Sequence, residues 1–222
     1  MNDQIELTDG LFKAGAHYGY SKSRRHASVA KCIFGTKNKA DIIDLAKTAE
    51  QIAKVQEFLK ARPEGAVVLF VGTKPEARAL IKDTAEALSM PYVTNRWIGG
   101  ALTNYAEVKR RIAKLVDLRE KKIKGELDMY TKKERLMIDR EVADMEGNFS
   151  GIVSLKKTPD IMVVIDPKKE HIAVAEAMKM GVPVVALANT DCDIRPINYP
   201  VVANDASTSS ISFFMNEIKS VL

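Results

Sequence analysis

With 222 residues, 46% of them hydrophobic, the chain can bury a sizeable core as one large domain or two small ones. A formal net charge of +5 permits a polyanionic partner without requiring one. Two cysteines, Cys32 and Cys192, stand far apart and outside any metal-ligand spacing, which excludes a disulfide framework and suits a reducing cytosol. No window approaches the roughly 18 apolar residues of a membrane span, and an acidic first ten residues predict neither a signal nor a transit peptide.

Residues 5–15 read as a short amphipathic helix with Leu7, Leu11, Phe12 and Ala14 on its apolar side. Gly15-Ala16-His17-Tyr18-Gly19-Tyr20 is punctuated by glycine and predicts no helix. Lys22, Arg24, Arg25, His26 and Lys31 then crowd ten residues among Ser21, Ser23 and Ser28. That composition predicts an irregular cationic loop, mobile in the free protein, that meets an anion. Residues 32–34 and 42–45 read as short strands, and residues 46–61 as a helix with Ile52, Val55, Phe58 and Leu59 inward.

Residues 66–71 form a continuous apolar run, the mark of a strand buried on both faces of a parallel sheet. Gly72-Thr73-Lys74-Pro75-Glu76 follows as a tight turn into a helix reaching about Ser89, with Pro75 in its first turn and Glu76 at its positive end. The phosphate-cradling patterns GxxxxGK[ST] and GxGxxG are both missing from this turn. Residues 91–94 give another strand. Between it and the next element lie Arg96, the only tryptophan, Trp97, and the pair Gly99-Gly100, which allows a sharp change of direction.

From Asn104 to Phe149 the pattern changes. Of the 43 residues 106–148, 22 are charged, against 28% for the whole chain. The sparse apolar residues Tyr105, Val108, Ile112, Leu115 and then Ile138, Val142, Met145, Phe149 keep steps of three and four, one narrow seam per helix. Gly125 and the polar residues to Thr131 supply a turn. This predicts an antiparallel helical hairpin, residues 104–149, too charged to be a core element and therefore projecting. Its first arm carries eight basic residues, Lys109, Arg110, Arg111 and Lys114 among them, against three acids. The surplus equals the net charge of the chain and points to a polyanion.

After the hairpin, residues 160–165 and 182–187 read as buried strands, with a helix opened by Asp166-Pro167 and stopped by Gly181 between them. Residues 200–203 give a last short strand, and residues 207–222 a helix with Ile211, Phe214, Met215 and Ile218 on one face. Strands thus alternate with helices on both sides of the hairpin. The pattern predicts one α/β domain built from residues 1–103 and 150–222, a mostly parallel flavodoxin-like or Rossmann-like sheet sandwiched by helices, with residues 104–149 inserted as a coiled coil. The loops around Gly72, Asp166 and Thr190 would gather at one sheet edge, the usual ligand site of such folds. An enzyme of this architecture would rely there on Thr73, Lys74, Asp166, Glu170 and His171. No nucleophile–base pair or phosphate motif supports that alternative, and Asp166 and Glu170 read as helix-capping and dipole partners.

Two stretches resemble signatures of the small-subunit ribosomal protein S-two family, bacterial type: residues 11–19, Leu-Phe-Lys-Ala-Gly-Ala-His-Tyr-Gly, and residues 159–167, Pro-Asp-Ile-Met-Val-Val-Ile-Asp-Pro, continued by Glu170, Ala173, Val174, Glu176 and Gly181-Val182-Pro183. Ile33-Phe34-Gly35, residues 42–45, residues 70–74, residues 96–104 and residues 131–134 also match, in family order over nearly the whole chain. The resemblance implies a non-enzymatic, cytoplasmic constituent of the small ribosomal subunit with a protruding coiled coil. It would contact small-subunit rRNA and neighbouring ribosomal proteins, and it would help dock ribosomal protein S-one. On this reading Lys22, Arg24, Arg25, Lys31, Arg96, Lys109, Arg110, Arg111 and Lys114 are the rRNA-binding candidates. No cofactor is implied, although some family members resemble a zinc-holding arrangement for which His17, Asp191, Asp193 and Asp205 are the matching positions. Tyr20, where the family usually has His, the His26-Ala27-Ser28 stretch and Ala206 depart from the pattern.

Overall fold

The computed structural model describes residues 2–222, with side chains from Glu6 onward. Five parallel strands make the central sheet in the order β5-β4-β6-β7-β8: β4 Val68–Val71, β5 Tyr92–Val93, β6 Ile161–Ile165, β7 Val184–Ala188 and β8 Tyr199–Val202. Every residue of β4, β6 and β7 is buried, as continuous apolar strands covered on both faces require. Their side chains alternate between two cores. Val68, Phe70, Val163 and Leu187 meet α1 (Asn2–Lys13), α2 (Leu45–Lys60), α3 (Pro75–Ala87) and α7 (Thr208–Lys219). Leu69, Val71, Val164 and Ala186 meet Trp97, α6 (His171–Met180) and the root of a helical hairpin, α4 (Tyr105–Ile123) and α5 (Lys132–Phe149).

A separate three-stranded antiparallel sheet, ordered β1-β3-β2, comes from the N-terminal region: β1 Tyr18–Ser21, β2 Ile33–Lys37 and β3 Ala40–Ile43. It is hooked onto β8 through Val29, Cys32, Ile43 and Val202. The stretch around Gly19, expected not to be helical, forms the strand β1. Gly19 sits against Thr190 and the Asp41 carbonyl so closely that a Cβ there would stand 2.6 Å from the Thr190 methyl. Glycine is present for close approach as well as for a turn. Phe12 also departs from expectation: it is 62% exposed on α1 while Leu11 is buried.

The seam of the hairpin matches its sequence spacing. Val108, Ile112, Leu115, Val142 and Phe149 are buried, and Tyr105, Leu118, Ile138 and Met145 pack partly against them. The correction lies at the root, where these residues are continuous with the second core, so the base of the hairpin is a core element. Only the far end stands clear, with Ile123 86% and Met129 82% exposed.

Candidate nucleic-acid interface

The entry to the hairpin is fixed by a buried carboxylate. Glu176, on α6, accepts from the Trp97 indole (3.1 Å), the amides of Gly100 (2.7 Å), Leu102 (3.0 Å) and Thr103 (3.3 Å), and the Thr103 hydroxyl (3.3 Å). Burial alone would raise its pKa. The convergent amides and the indole outweigh that and hold it below the ordinary carboxylate value. Sequence reading named Glu176 within the second family signature but gave it no role. The available signal was a Glu sharing a helical face with Ala173 and Ala177, both buried.

α5 begins with a reciprocal capping box between Thr131 and Glu134 and returns along α4. Three ion pairs join the arms: Lys114 to Glu141, Arg119 to Glu146 at 2.8 Å and Lys122 to Asp139 at 2.6 Å. Arg110 pairs with Glu107 at 3.1 Å. The basic surplus of the first arm is thus partly neutralised within the hairpin. Lys109 and Arg111 are exposed and, among the described residues, have no acidic partner within ion-pair distance, and Arg96 at the root is exposed as well. Lys114 and Arg110 are held by solvent-exposed pairs worth at most about 1 kcal/mol each, so a phosphate can take over either cation cheaply.

The N-terminal cationic segment is not a loose loop. It forms two 3-10 turns, Lys22–Arg24 and Ala27–Cys32. The His26 amide donates to the Thr190 carbonyl at 2.8 Å, and the Ile194 amide donates to the Ser28 hydroxyl at 3.1 Å. Arg25 is structural: its Nε donates to Asp41 at 2.7 Å and its Nη2 to the other Asp41 oxygen and to Thr36 at 3.1 Å. Asp41 is fully buried, and the Arg25 guanidinium holds its carboxyl below the usual range. Arg24 lies over the Tyr20 ring at 5.8 Å, which gives the departure at position 20 a partner. Lys22 and Lys31 are exposed.

The loops after β4, β6 and β7 do gather, at the point where the strand order reverses. Their polar groups satisfy one another. Lys74 occupies the N-cap position of α3 without a side-chain cap bond, and its ammonium lies 2.8 Å from both Asp166 and Asp205. Burial disfavours its charge, and the two carboxylates, Asp205 foremost, more than restore it. Glu170 accepts from the Thr73 hydroxyl at 2.5 Å and the Thr73 amide at 3.1 Å and caps no helix with its side chain. His171 is exposed and its Nδ1 lies 3.3 Å from the Lys168 carbonyl. At Gly72 a Cβ would stand 2.4 Å from Ile81, so this glycine serves helix–strand packing.

The positions matched to a metal do not fit one. Asp205 is spent on Lys74 and Asn189 (2.9 Å), Asp191 on Lys168 (2.7 Å) and Asp193 on the Arg195 fork (2.6 Å), which keeps Asp193 far below its usual pKa. His17 lies elsewhere, between the Phe12 and Tyr18 rings at 4.7 and 4.1 Å, with its Nδ1 unpaired, and burial lowers its pKa. Among the described residues no group of three His, Cys, Asp or Glu could hold a metal. Cys192 is buried beside Asp166 and Asp191. Burial foremost pushes its thiol up to about 12, so it is neither a ligand nor a nucleophile near neutral pH.

The family described as Ribosomal protein S2 matches residues 11–222. The chain belongs to the ribosomal protein S2 family. It is 44% identical over 209 residues to "Small ribosomal subunit protein uS2" of Sulfurimonas denitrificans, covering 94% of this chain and 81% of that one. To proteins of the same name from Helicobacter hepaticus and Wolinella succinogenes it is 39% identical, over 96% and 94% of this chain and 81% and 77% of theirs. The ribosomal protein S2 family is structural and non-enzymatic. Among the described residues no helix is long and apolar enough to cross a membrane.

Proposed function

We propose that this chain is a structural constituent of the small ribosomal subunit in the cytoplasm, and that α4 and α5 form an inserted, protruding coiled coil whose basic arm contacts small-subunit rRNA. The carrying observation is the one-sidedness of α4. Its apolar side is committed to the core through Val108, Ile112 and Leu115, while Lys109, Arg110, Arg111 and Lys114 stay at the surface. A surface that concentrates cations on a fixed helix matches phosphate spacing without reading bases. Arg96, Arg24, Lys22 and Lys31 are exposed as well and are further rRNA contacts in this reading. Competitive incorporation of wild type and a variant with those four α4 residues changed to Gln, into reconstituted subunits at two salt concentrations, tests the reading. The variant is expected to fold, to lose the competition at low salt and to show a flatter salt dependence, by roughly 0.7–0.9 log units per lost phosphate contact for each tenfold change in salt. Equal incorporation at both concentrations would remove the hairpin from the RNA-binding surface.

A second surface suits a protein neighbour. Phe12, Tyr18 and Phe34 are 62%, 56% and 81% exposed and line, with His17 and Ile42, one cleft of about 700 Å³. Clustered exposed aromatics support protein docking, and we assign ribosomal protein S-one to this cleft.

A further inference from the structure

We propose that the cleft at the end of the small antiparallel sheet, lined by Ser21, Lys22, Ser23, Thr36 and Lys39, binds a phosphodiester of the RNA backbone. In this assignment Lys39 takes the place that sequence reading gave to Arg25. The inference rests on the RNA reading above, which already includes Lys22, and adds Lys39 and the phosphodiester that the two lysines would share.

The lining is suited to an anion. Two lysines and the hydroxyl residues Ser21, Ser23 and Thr36 line a cleft of about 700 Å³ with no acidic residue among them; the Thr36 hydroxyl is engaged with Asp41. The Ser21 and Ser23 hydroxyls lie 3.0 Å apart, so one of their protons can be turned outward toward a ligand. The nearest acid, Asp41, is fully buried and already engaged by Arg25 and Thr36. Among the described residues no acid lies within ion-pair distance of Lys22, Lys37 or Lys39, and all three are exposed. Lys22 and Lys39 therefore stand here without an ion-pair partner, as Lys109 and Arg111 do on the hairpin.

The backbone supplies a second observation. Asn38 and Lys39 join β2 to β3 with φ of 51° and 65°, two consecutive left-handed residues. Such a two-residue turn favours Asn-Gly. Asn38 fits the first position, and Lys39 holds the second against the preference of a side chain with a Cβ. Its ammonium makes no hydrogen bond or ion pair with the described residues. The Lys22 amide donates to the Lys39 carbonyl at 3.0 Å, which sets the two lysines side by side at the cleft. A lysine is thus held where folding favours glycine, next to another lysine and three hydroxyls, and an anionic partner accounts for it.

Lys39→Gly separates binding from folding, because the two should move in opposite directions. The full-length protein is titrated with a small-subunit rRNA transcript by filter binding between 0.05 and about 0.3 M KCl, and thermal unfolding is followed in parallel. Lys39→Gly is expected to unfold at the same or a higher temperature, to bind roughly fivefold more weakly near ~0.15 M salt and to lose about 0.7–0.9 from the log–log salt slope, with Lys22→Gln doing the same to binding. Unchanged affinity overturns the cleft assignment while leaving the hairpin reading in place. Weaker binding with an unchanged slope overturns it too, since the lost contact would not be to a phosphate. If wild type itself binds without salt dependence, the RNA reading fails, and this inference with it.

Discussion

Glu176 is a carboxylate that gathers five donors and, among the described residues, no cation. Every donor lies on the 97–103 segment that launches α4, so one side chain on α6 sets the direction of the hairpin. Glu176→Gln keeps the shape but turns an NH₂ group toward N–H donors, leaving at least one buried donor unpaired. The expected loss is about 3 kcal/mol, read as a lower urea midpoint. The pH dependence has a definite sign. A carboxylate whose folded pKa is depressed contributes stability that is complete above its unfolded value and disappears as pH falls through the folded one. The gap between wild type and Glu176→Gln should therefore be widest at neutral pH and close below about pH 4; a gap constant from pH 7 to pH 3 would mean the carboxylate's charge contributes nothing. Arg25 carries a related lesson. Its removal would strand the buried Asp41 charge, so replacing all the cations of its segment together would confound lost folding with lost RNA contact.

At the scale of elements, α4 and α5 divide one sequence pattern between two tasks. Steps of three and four hold the arms together, and the residues between them face outward. Ile112→Asp puts a charge into the seam where it is continuous with the second core. A loss of about 4 kcal/mol or more is expected, far beyond what four Lys/Arg→Gln changes on the exposed side would cost. Circular dichroism and urea unfolding of the two variants compare them directly, and similar losses in both would mean the seam is not what joins the arms. The seam, like β4, β6 and β7, was legible because uninterrupted apolar runs and regular spacing leave few alternatives. β1 was not, since Tyr18-Gly19-Tyr20-Ser21 is a half-exposed edge strand with no clean alternation. Nor could spacing show that Lys114 meets Glu141 or Arg25 meets Asp41, because both pairings depend on register between separate elements. The nine RNA-binding candidates were chosen by charge, and charge alone does not distinguish a cation engaged inside the protein from one left free.

For the whole molecule, the basic hairpin and the aromatic cleft at Phe12 and Phe34 belong to different lobes: the hairpin roots in the second core, whereas the cleft lies on α1 and the antiparallel sheet. Mutations at widely separated, independent sites act additively. Phe12→Ala with Phe34→Ala should cut retention of ribosomal protein S-one on assembled subunits at least tenfold, about 1.4 kcal/mol or more, with incorporation of the variant itself unchanged. Quantifying both proteins on purified subunits checks this. Normal S-one retention would move its docking site away from the cleft, and a parallel loss of incorporation would join the two surfaces into one.

The continuity between hairpin seam and second core has a consequence for amide hydrogen exchange. Amides near Val108 and Ile112 can exchange only when the face of the sheet beneath them opens, so their protection should approach that of β4 and β6. Beyond Leu118 the helices hold mainly each other, and the turn at Gly125 can fray with the rest of the chain intact. The hairpin thus carries a gradient of opening free energy along its length, with an adaptable end to meet its surroundings and a base as rigid as the protein itself.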